Sequence, residues 1–250
     1  MATREVPCAA SSLTDALFDG DVRDLVEVVR TRLSVHYETS SPDLPVLCVC
    51  TPAAVRLPSS VVAAELPAPG RTRIGAGALR LGDARWMPRR WWSPPRPQDL
   101  VRPTDLTPLA RLPEAVPLPG LTLPATTYDG LRPDLLVGAG PGLTPAGDDV
   151  LAAALVTARA VGDGRTRTWQ QLTRAALTAR STTAVSRAML HHALDGYATP
   201  ELAGFLEAVC RDDDLTRPLH RLLGVGHSSG AALLAGVVHT LTTHEMRGAA

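Results

Sequence analysis

Ten prolines lie between Pro88 and Pro124, and they divide this chain of 250 residues into two parts of different composition. Proline fixes φ and has no amide hydrogen, so neither a helix nor a central strand is expected to continue through this stretch. Apolar residues are also present in it, which favours packing against the folded parts of the chain. We therefore predict a proline-rich linker or wrapping segment at residues 101–134.

The part before the prolines is predicted to be mostly strands. Residues 1–34 are predicted as an N-terminal helical segment, because apolar residues there are spaced as on one face of a helix. These are Leu25, Val28, Val29 and Leu33. Residues 35–100 are predicted as a β-rich domain, because short apolar or β-branched runs are separated by proline, glycine and serine. The predicted strands are 46–50, 60–64 and 73–81, and the tryptophan-rich run 86–92 is predicted as a packed hinge instead of a base-stacking surface.

The part after the prolines is predicted to form a helical domain at residues 135–250, because alanine, leucine and valine occur there at helical density. The predicted helical stretches are 150–160, 169–196, 201–210 and 230–243. Strands followed by helices favour an α+β protein, with a β-rich N-terminal region and a mainly helical C-terminal domain, over alternating βαβ units.

The basic residues are all arginine, because the chain contains no lysine, and 25 basic residues balance 25 acidic ones. Walker A phosphate binding, pyridoxal phosphate chemistry and Schiff-base chemistry need lysine, so these classes are excluded. A neutral chain without a dense basic patch is not expected to bind nucleic acid or a membrane surface. No apolar run approaches the roughly 20 residues that span a bilayer, and the four cysteines match no zinc pattern. We expect a cytoplasmic protein with buried thiols.

The run Gly138–Asp149 is the leading candidate site, because it is a shaped loop followed by an apolar helix. A helix N-terminus offers free N–H groups and partial positive charge, so it binds anions without a basic side chain. Thr144 is predicted as the N-cap, with Pro145 at the first helical position. The predicted anion-binding residues of this loop are Gly138, Gly140, Gly142, Thr144 and Gly147.

Asp148 and Asp149 are the candidate catalytic residues of this loop. Carboxylates in the first turn also complement the helix dipole, which is the structural alternative. Adjacent side chains on a helix point about 100° apart, so one aspartate is left to bind Mg²⁺ or a substrate amine. No dense set of metal ligands is present, so no metal residue is assigned and Mg²⁺ stays an optional cofactor.

Two further segments are predicted to complete the site. Thr183 and Ser186 are three residues apart, so they lie on the same face of a helix. Their hydroxyls either line the pocket below the glycine loop or donate to carbonyls of their own helix. If they line the pocket, Arg187 or Arg180 is the predicted partner of the anion. A second glycine-flanked loop resembles the first but lacks the aspartates. Its candidate anion-binding residues are His227, Ser228, Ser229 and Gly230. Hydroxyl and N–H groups that cap the final helix are favoured there over a serine nucleophile.

Three segments together resemble the AllH subunit family of oxamate carbamoyltransferase. They are Gly138–Asp149, the Thr182-Thr183-x-x-Ser186 segment and Gly226–Gly230. The resemblance covers about Val137 to Val238 well and Leu33 to Pro88 loosely. It implies a subunit that acts with companion carbamoyltransferase subunits to move a carbamoyl group between carbamoyl phosphate and oxamate or oxalurate.

The residues and the resemblance together predict a carbamoyltransferase subunit for a small carboxylate or ureido acid. One alternative is a non-catalytic subunit that binds a small anion or acts as a scaffold. A second is a Mg²⁺-dependent phosphotransferase-like enzyme, although the missing lysine disfavours its common forms. The expected partners are a small anionic substrate, companion carbamoyltransferase subunits and, in a homo-oligomer, further copies of this chain.

Overall fold

The computed structural model describes residues 4–110, 112 and 131–243. The chain divides into two compact units, Met1–Pro94 and Pro95–Ala250. The first unit contains the strands and the second contains helices, so the predicted α+β class is confirmed.

The described part of the first unit contains eight strands, one short α-helix and a single 3₁₀ turn at Ser12–Thr14. The strands and the α-helix are β1 (Arg4–Ser11), α1 (Asp15–Asp19), β2 (Arg23–Arg30), β3 (Ser34–Glu38), β4 (Val46–Cys50), β5 (Ser60–Ala63), β6 (Thr72–Gly75), β7 (Ala78–Leu81) and β8 (Ala84–Trp92). The predicted strands 46–50 and 60–64 are therefore confirmed as β4 and β5. The predicted strand 73–81 is a hairpin, because the chain turns at Ala76 and Gly77, where φ is 45° and 79°.

The eight strands close into a barrel in the order β1-β5-β4-β3-β2-β6-β7-β8. The β4–β5 and β1–β8 pairs are parallel, and the β1–β8 pair closes the barrel. Closure leaves no strand edge open to another chain. The interior is filled by buried apolar side chains, among them Tyr37, Leu47, Val49, Ile74 and Trp86.

The helical prediction for residues 1–34 is wrong, because this segment forms β1, the short α1 and β2. In β1, buried Val6, Cys8 and Ala10 alternate with more exposed residues, as a strand requires. In β2, a register shift between Glu27 and Val29 breaks the alternation. The extra residue of this β-bulge gives the apolar positions a spacing that resembles a helix.

The hinge prediction for residues 86–92 is also wrong, because the strand β8 continues to Trp92. Pro88 pairs with Cys8 of β1, and the next pair joins Ala9 to Arg90, so Arg89 is an extra residue in β8. A bulge is one of the few places where a strand accepts proline. Trp86 is buried, and its indole nitrogen donates to the carbonyl of Glu65 at 3.2 Å.

The described part of the second unit is helical. Its helices are α2 (Thr107–Ala110), α3 (Pro133–Leu136), α4 (Ala146–Ala160), α5 (Thr166–Ala179), α6 (Ala184–Leu194), α7 (Pro200–Arg211), α8 (Thr216–Leu223) and α9 (Ser229–Thr242). The predicted stretch 169–196 is two helices, α5 and α6, and α8 was not predicted. In the part of the chain that the structure describes, no helix is long and apolar enough to cross a membrane.

Helix α4 is the central element of the second unit, and Arg159 is its one residue that is not buried. Helices α9 and α6 pack against it. Gly236 of α9 allows this close packing, because a Cβ at that position would lie 2.3 Å from the carbonyl oxygen of Val150 in α4. A helix that is buried along its length, as α4 is, belongs to the core of its unit.

The predicted proline-rich segment 101–134 is described only in part, because residues 111 and 113–130 lie outside the described residues. Its first part packs on the helical unit. Arg102 donates to the carbonyl of Leu241 at 2.7 Å, near the end of α9, and pairs with buried Asp163 at 2.7 Å.

Candidate functional site

The glycine-rich loop 138–145 lies against the start of α6. Gly138 has a φ of 73°, and a Cβ there would lie 2.2 Å from the carbonyl oxygen of Ser181. Only glycine fits this conformation and this contact. Gly140 and Gly142 are exposed, and none of the described residues accepts a hydrogen bond from their amides.

The N-terminus of α4 differs from the prediction. The helix begins at Ala146 with Pro145 as its cap residue, so Thr144 is not the N-cap. The amide of Gly147 donates to the carbonyl of Ala139 at 2.9 Å, and the amide of Asp148 donates to that of Pro145 at 2.9 Å. These first-turn donors are already used. Any anion at this site is therefore expected to meet the loop amides before Pro145.

Asp148 is buried and joins two segments of the site. Its Oδ1 accepts a hydrogen bond from the amide of Gly138 at 2.9 Å, and its Oδ2 accepts one from the hydroxyl of Thr182 at 2.5 Å. Both carboxylate oxygens are therefore engaged in holding the loop against the segment before α6. Thr182 belongs to the Thr182-Thr183 motif but was not among the predicted site residues.

Asp149 has a different environment from its neighbour. It is 2% exposed, and its Oδ2 is buried with no hydrogen-bond partner among the described residues. Burial raises the pKa of Asp149 to about 7, although the hydroxyls of Ser229 and Thr144 favour the charged form, and the charge of Asp148 raises the pKa further. A carboxyl group with this pKa can both donate and accept a proton near neutral pH.

The hydroxyls of Thr144 and Ser229 lie 2.9 Å apart, beside the carboxylate of Asp149. Thr144 precedes α4, whereas Ser229 is the first residue of α9. The two glycine-flanked loops of the sequence therefore meet at one point. This contact links residues 85 positions apart in the chain.

Thr183 connects the loop to α6. Its hydroxyl donates to the carbonyl of Leu143 at 2.6 Å and accepts from the amide of Ser186 at 3.0 Å, so it is the N-cap of α6. The hydroxyl of Ser186 is buried and has no partner among the described residues. Thr183 therefore lies at the loop.

The other predicted site residues lie apart from this cluster or have packing roles. Arg187 is exposed and donates to the carbonyl of Leu177 at 2.8 Å, whereas Arg180 donates to that of Val137 at 3.0 Å, directly before the loop. His227 is exposed, and Ser228 caps α9 without a side-chain hydrogen bond to the helix.

Gly147 and Gly230 have packing positions. A Cβ would lie 2.2 Å from the carbonyl oxygen of Leu136 at Gly147, and 2.1 Å from that of Leu222 at Gly230. Both glycines let a helix start lie directly on a neighbouring backbone. They shape the site, and their amides already donate to the carbonyls of Ala139 and Val225.

The cluster formed by Asp149, Thr144 and Ser229 combines two hydroxyl groups with one titratable carboxyl group, and the free amides of Gly140 and Gly142 belong to the same loop as Thr144. Amides donate to anionic oxygens, the hydroxyls donate or accept, and the carboxyl group transfers a proton. Within the described ranges, no group of three histidine, cysteine, aspartate or glutamate side chains is arranged to hold a metal ion. If Mg²⁺ binds here, the substrate must therefore supply some of its ligands.

The sequence comparisons are consistent with this grouping. No solved structure gives a significant match to the chain. Residues 136–241, which contain all three segments of the site and the α4 and α9 pair, match the family described as "Oxamate carbamoyltransferase subunit AllH", and this match confirms the resemblance that the sequence motifs predicted.

Proposed function

We propose that this chain is a subunit of a carbamoyltransferase that acts on a small carboxylate or ureido acid of the oxamate or oxalurate type. The family description supports carbamoyl transfer within a multi-subunit complex. The observation that carries the proposal is Asp149, a buried carboxyl group with a pKa of about 7 beside two hydroxyls from different segments.

The proposed reaction needs one proton transfer and one bound anion. The acceptor nitrogen attacks the carbamoyl carbon, the bond from that carbon to a phosphate oxygen breaks, and a proton leaves the nitrogen. The charged form of Asp149 accepts this proton and returns it in the reverse reaction. The free amides of Gly140 and Gly142 lie in an exposed loop, which supports the proposal that they bind phosphate or carboxylate oxygens.

Asp148 has a positioning role in this proposal. Because both of its oxygens accept hydrogen bonds, it fixes the loop relative to Thr182 and is not available for proton transfer. The two candidate catalytic aspartates are thereby separated, with Asp149 as the acid-base group. Thr144 and Ser229 orient that group and favour its charged form.

The test is phosphorolysis of oxalurate by the complex reassembled with its companion subunits. We expect Asp149→Asn to lower kcat by roughly 10²- to 10⁴-fold, as for loss of a general acid-base group. Ser229→Ala removes a hydroxyl that favours the charged carboxylate, so the pH at which activity is half-maximal is expected to rise. The matched control is Asp213→Asn, which changes an exposed aspartate in the same unit.

A non-catalytic anion-binding or scaffold role is the second candidate, and the internal use of the first-turn amides of α4 favours it. It predicts normal turnover by the Asp149→Asn complex. It also predicts that the isolated wild-type chain and its Asp149→Asn variant bind phosphate or oxamate with the same affinity, as measured by calorimetry. That pair of results would contradict the catalytic proposal, whereas lost turnover with retained assembly would support it.

A further inference from the structure

Three arginines form a row across the outside of the barrel. Arg73 of β6 lies directly opposite Arg80 of β7, and Arg80 lies directly opposite Arg85 of β8. Directly opposite side chains share a face, with Cβ atoms about 4.5–5.5 Å apart. Ile74 and Leu79 on the other face are in the barrel core, so this arginine row faces outward.

The arginine row places like charges next to one another, with Asp24 directly opposite Arg73 and Glu5 directly opposite Arg85 at its two ends. Like charges at directly opposite positions destabilise a sheet. Burial, followed by the charges of Arg85 and Arg73, lowers the pKa of Arg80. Three backbone carbonyls of the turn between β6 and β7 accept hydrogen bonds from Arg80 and hold it in place. In the described part of the chain, Arg73 and Arg85 have no side-chain hydrogen bond or ion pair.

Each end of the arginine row is bounded by a carboxylate that is already paired. Asp24, opposite Arg73, is bound by two nitrogens of Arg71 at 2.8 and 2.9 Å. Glu5, at the other end, is 2.9 Å from Arg89. The unbalanced positive charge is therefore confined to the width of three strands.

Exposed apolar side chains lie beside the arginine row. Val22 is 47% exposed and Val26 is 61% exposed. Val26 is two residues from Asp24 within β2, so these two side chains share the outer face of the sheet, whereas Val22 directly precedes the strand. A surface that combines arginines with exposed apolar residues is typical of protein interfaces. Nucleic-acid surfaces depend mainly on many phosphate contacts.

We propose that the outer face of β6, β7 and β8 docks an acidic segment of a partner protein, whose carboxylates pair with Arg73 and Arg85 and whose apolar residues cover Val22 and Val26. Guanidinium groups pair with carboxylates through two parallel hydrogen bonds, so adjacent arginines recognise a spaced set of acidic side chains. This face belongs to residues 4–92, outside the family match at 136–241, and the proposal does not depend on carbamoyl transfer.

The test uses the full chain and a fluorescently labelled peptide of alternating glutamate and valine, with binding measured by fluorescence anisotropy at low ionic strength. We expect Arg73→Glu with Arg85→Glu to weaken binding by at least about tenfold, because carboxylates would then face carboxylates. The matched control is Arg167→Glu with Arg174→Glu, two exposed arginines of α5, which should leave binding unchanged.

Three results would overturn the proposal. The first is equal affinity of the wild-type chain and the Arg73→Glu, Arg85→Glu variant. The second is displacement of the peptide by a single-stranded DNA oligonucleotide at lower concentration than by unlabelled peptide. The third is a fall in Tm for Arg73→Gln with Arg85→Gln, which would give these arginines a structural role. Removal of the like-charge repulsion along the row is expected to leave Tm unchanged or raise it.

Discussion

Asp148 and Asp149 are adjacent residues with different roles because neighbouring side chains on a helix point about 100° apart. Asp148 accepts hydrogen bonds from the amide of Gly138 and the hydroxyl of Thr182, whereas Asp149 lies beside the hydroxyls of Thr144 and Ser229. The sequence motif predicts that both aspartates matter. It cannot separate them, because their partners lie in segments far along the chain.

The raised pKa of Asp149 predicts how stability depends on pH. The folded pKa is about 7, and the ordinary value of 3.8 applies to the unfolded chain. Between these two pKa values Asp149 is protonated in the folded protein and charged in the unfolded chain, so the free energy of unfolding falls as pH rises. Above pH 7 the folded protein bears the full free-energy cost of a buried charged carboxylate. Asp149→Asn removes that cost. We expect its Tm to exceed that of the wild-type chain by a margin that grows from about pH 4 to about pH 8.

Thermal unfolding over this pH range measures the effect. A Tm difference that is constant with pH would show that Asp149 is not a buried carboxyl group with a raised pKa. A variant that is more stable and less active would identify Asp149 as a residue kept for function at a cost in stability.

At the scale of elements, the contact between α4 and α9 determines where Ser229 lies. Gly236→Ala would place a Cβ 2.3 Å from the carbonyl oxygen of Val150 and 2.8 Å from the Cβ of Ala153. Overpacking of this kind costs about 1–3 kcal/mol, which exceeds the roughly 1 kcal/mol that alanine gains over glycine in a helix. We therefore expect a lower free energy of unfolding, measured with urea.

Gly204→Ala in α7 is the control for this prediction. A Cβ there has no heavy atom within 4 Å, so only the helix propensity changes. We expect stabilisation of about 0.5–1 kcal/mol. Equal effects of the two substitutions would show that α4 and α9 do not approach as closely as described.

Elements with a local signal could be predicted from the sequence. Helix α4 follows from a long apolar run after a glycine-rich loop, and β4 follows from the run Val46–Cys50. Elements whose pattern is interrupted could not. The bulge in β2 gives a strand a helical spacing of apolar residues, and the turn at Gly77 divides one predicted strand into two.

At the scale of the whole molecule, the two compact units have separate cores, and the barrel is complete within residues 4–92. We therefore expect a fragment of residues 1–94 to fold without the rest of the chain. Circular dichroism should show β structure, and urea unfolding should be cooperative. A fragment that is disordered or unfolds without a transition would contradict this expectation.

Closure of the barrel could not be predicted, because it depends on pairing between strands that are distant in sequence. Nothing local in β1 or β8 specifies that Arg4 pairs with Ala84. The meeting of Thr144 with Ser229 is non-local in the same way. The two glycine-flanked loops resemble each other in sequence, but that resemblance alone does not specify a contact between them.

The parallel pairing of β1 with β8 joins the first and last strands of the first unit. During synthesis on the ribosome, β1 emerges first but has no β8 to pair with until Trp92 has left the exit tunnel. Until then the nascent sheet has open edges at β1 and β7, which are sites for pairing with other chains. The proline-rich segment that follows β8 is translated while the barrel closes, so early termination before Trp92 would release an aggregation-prone product.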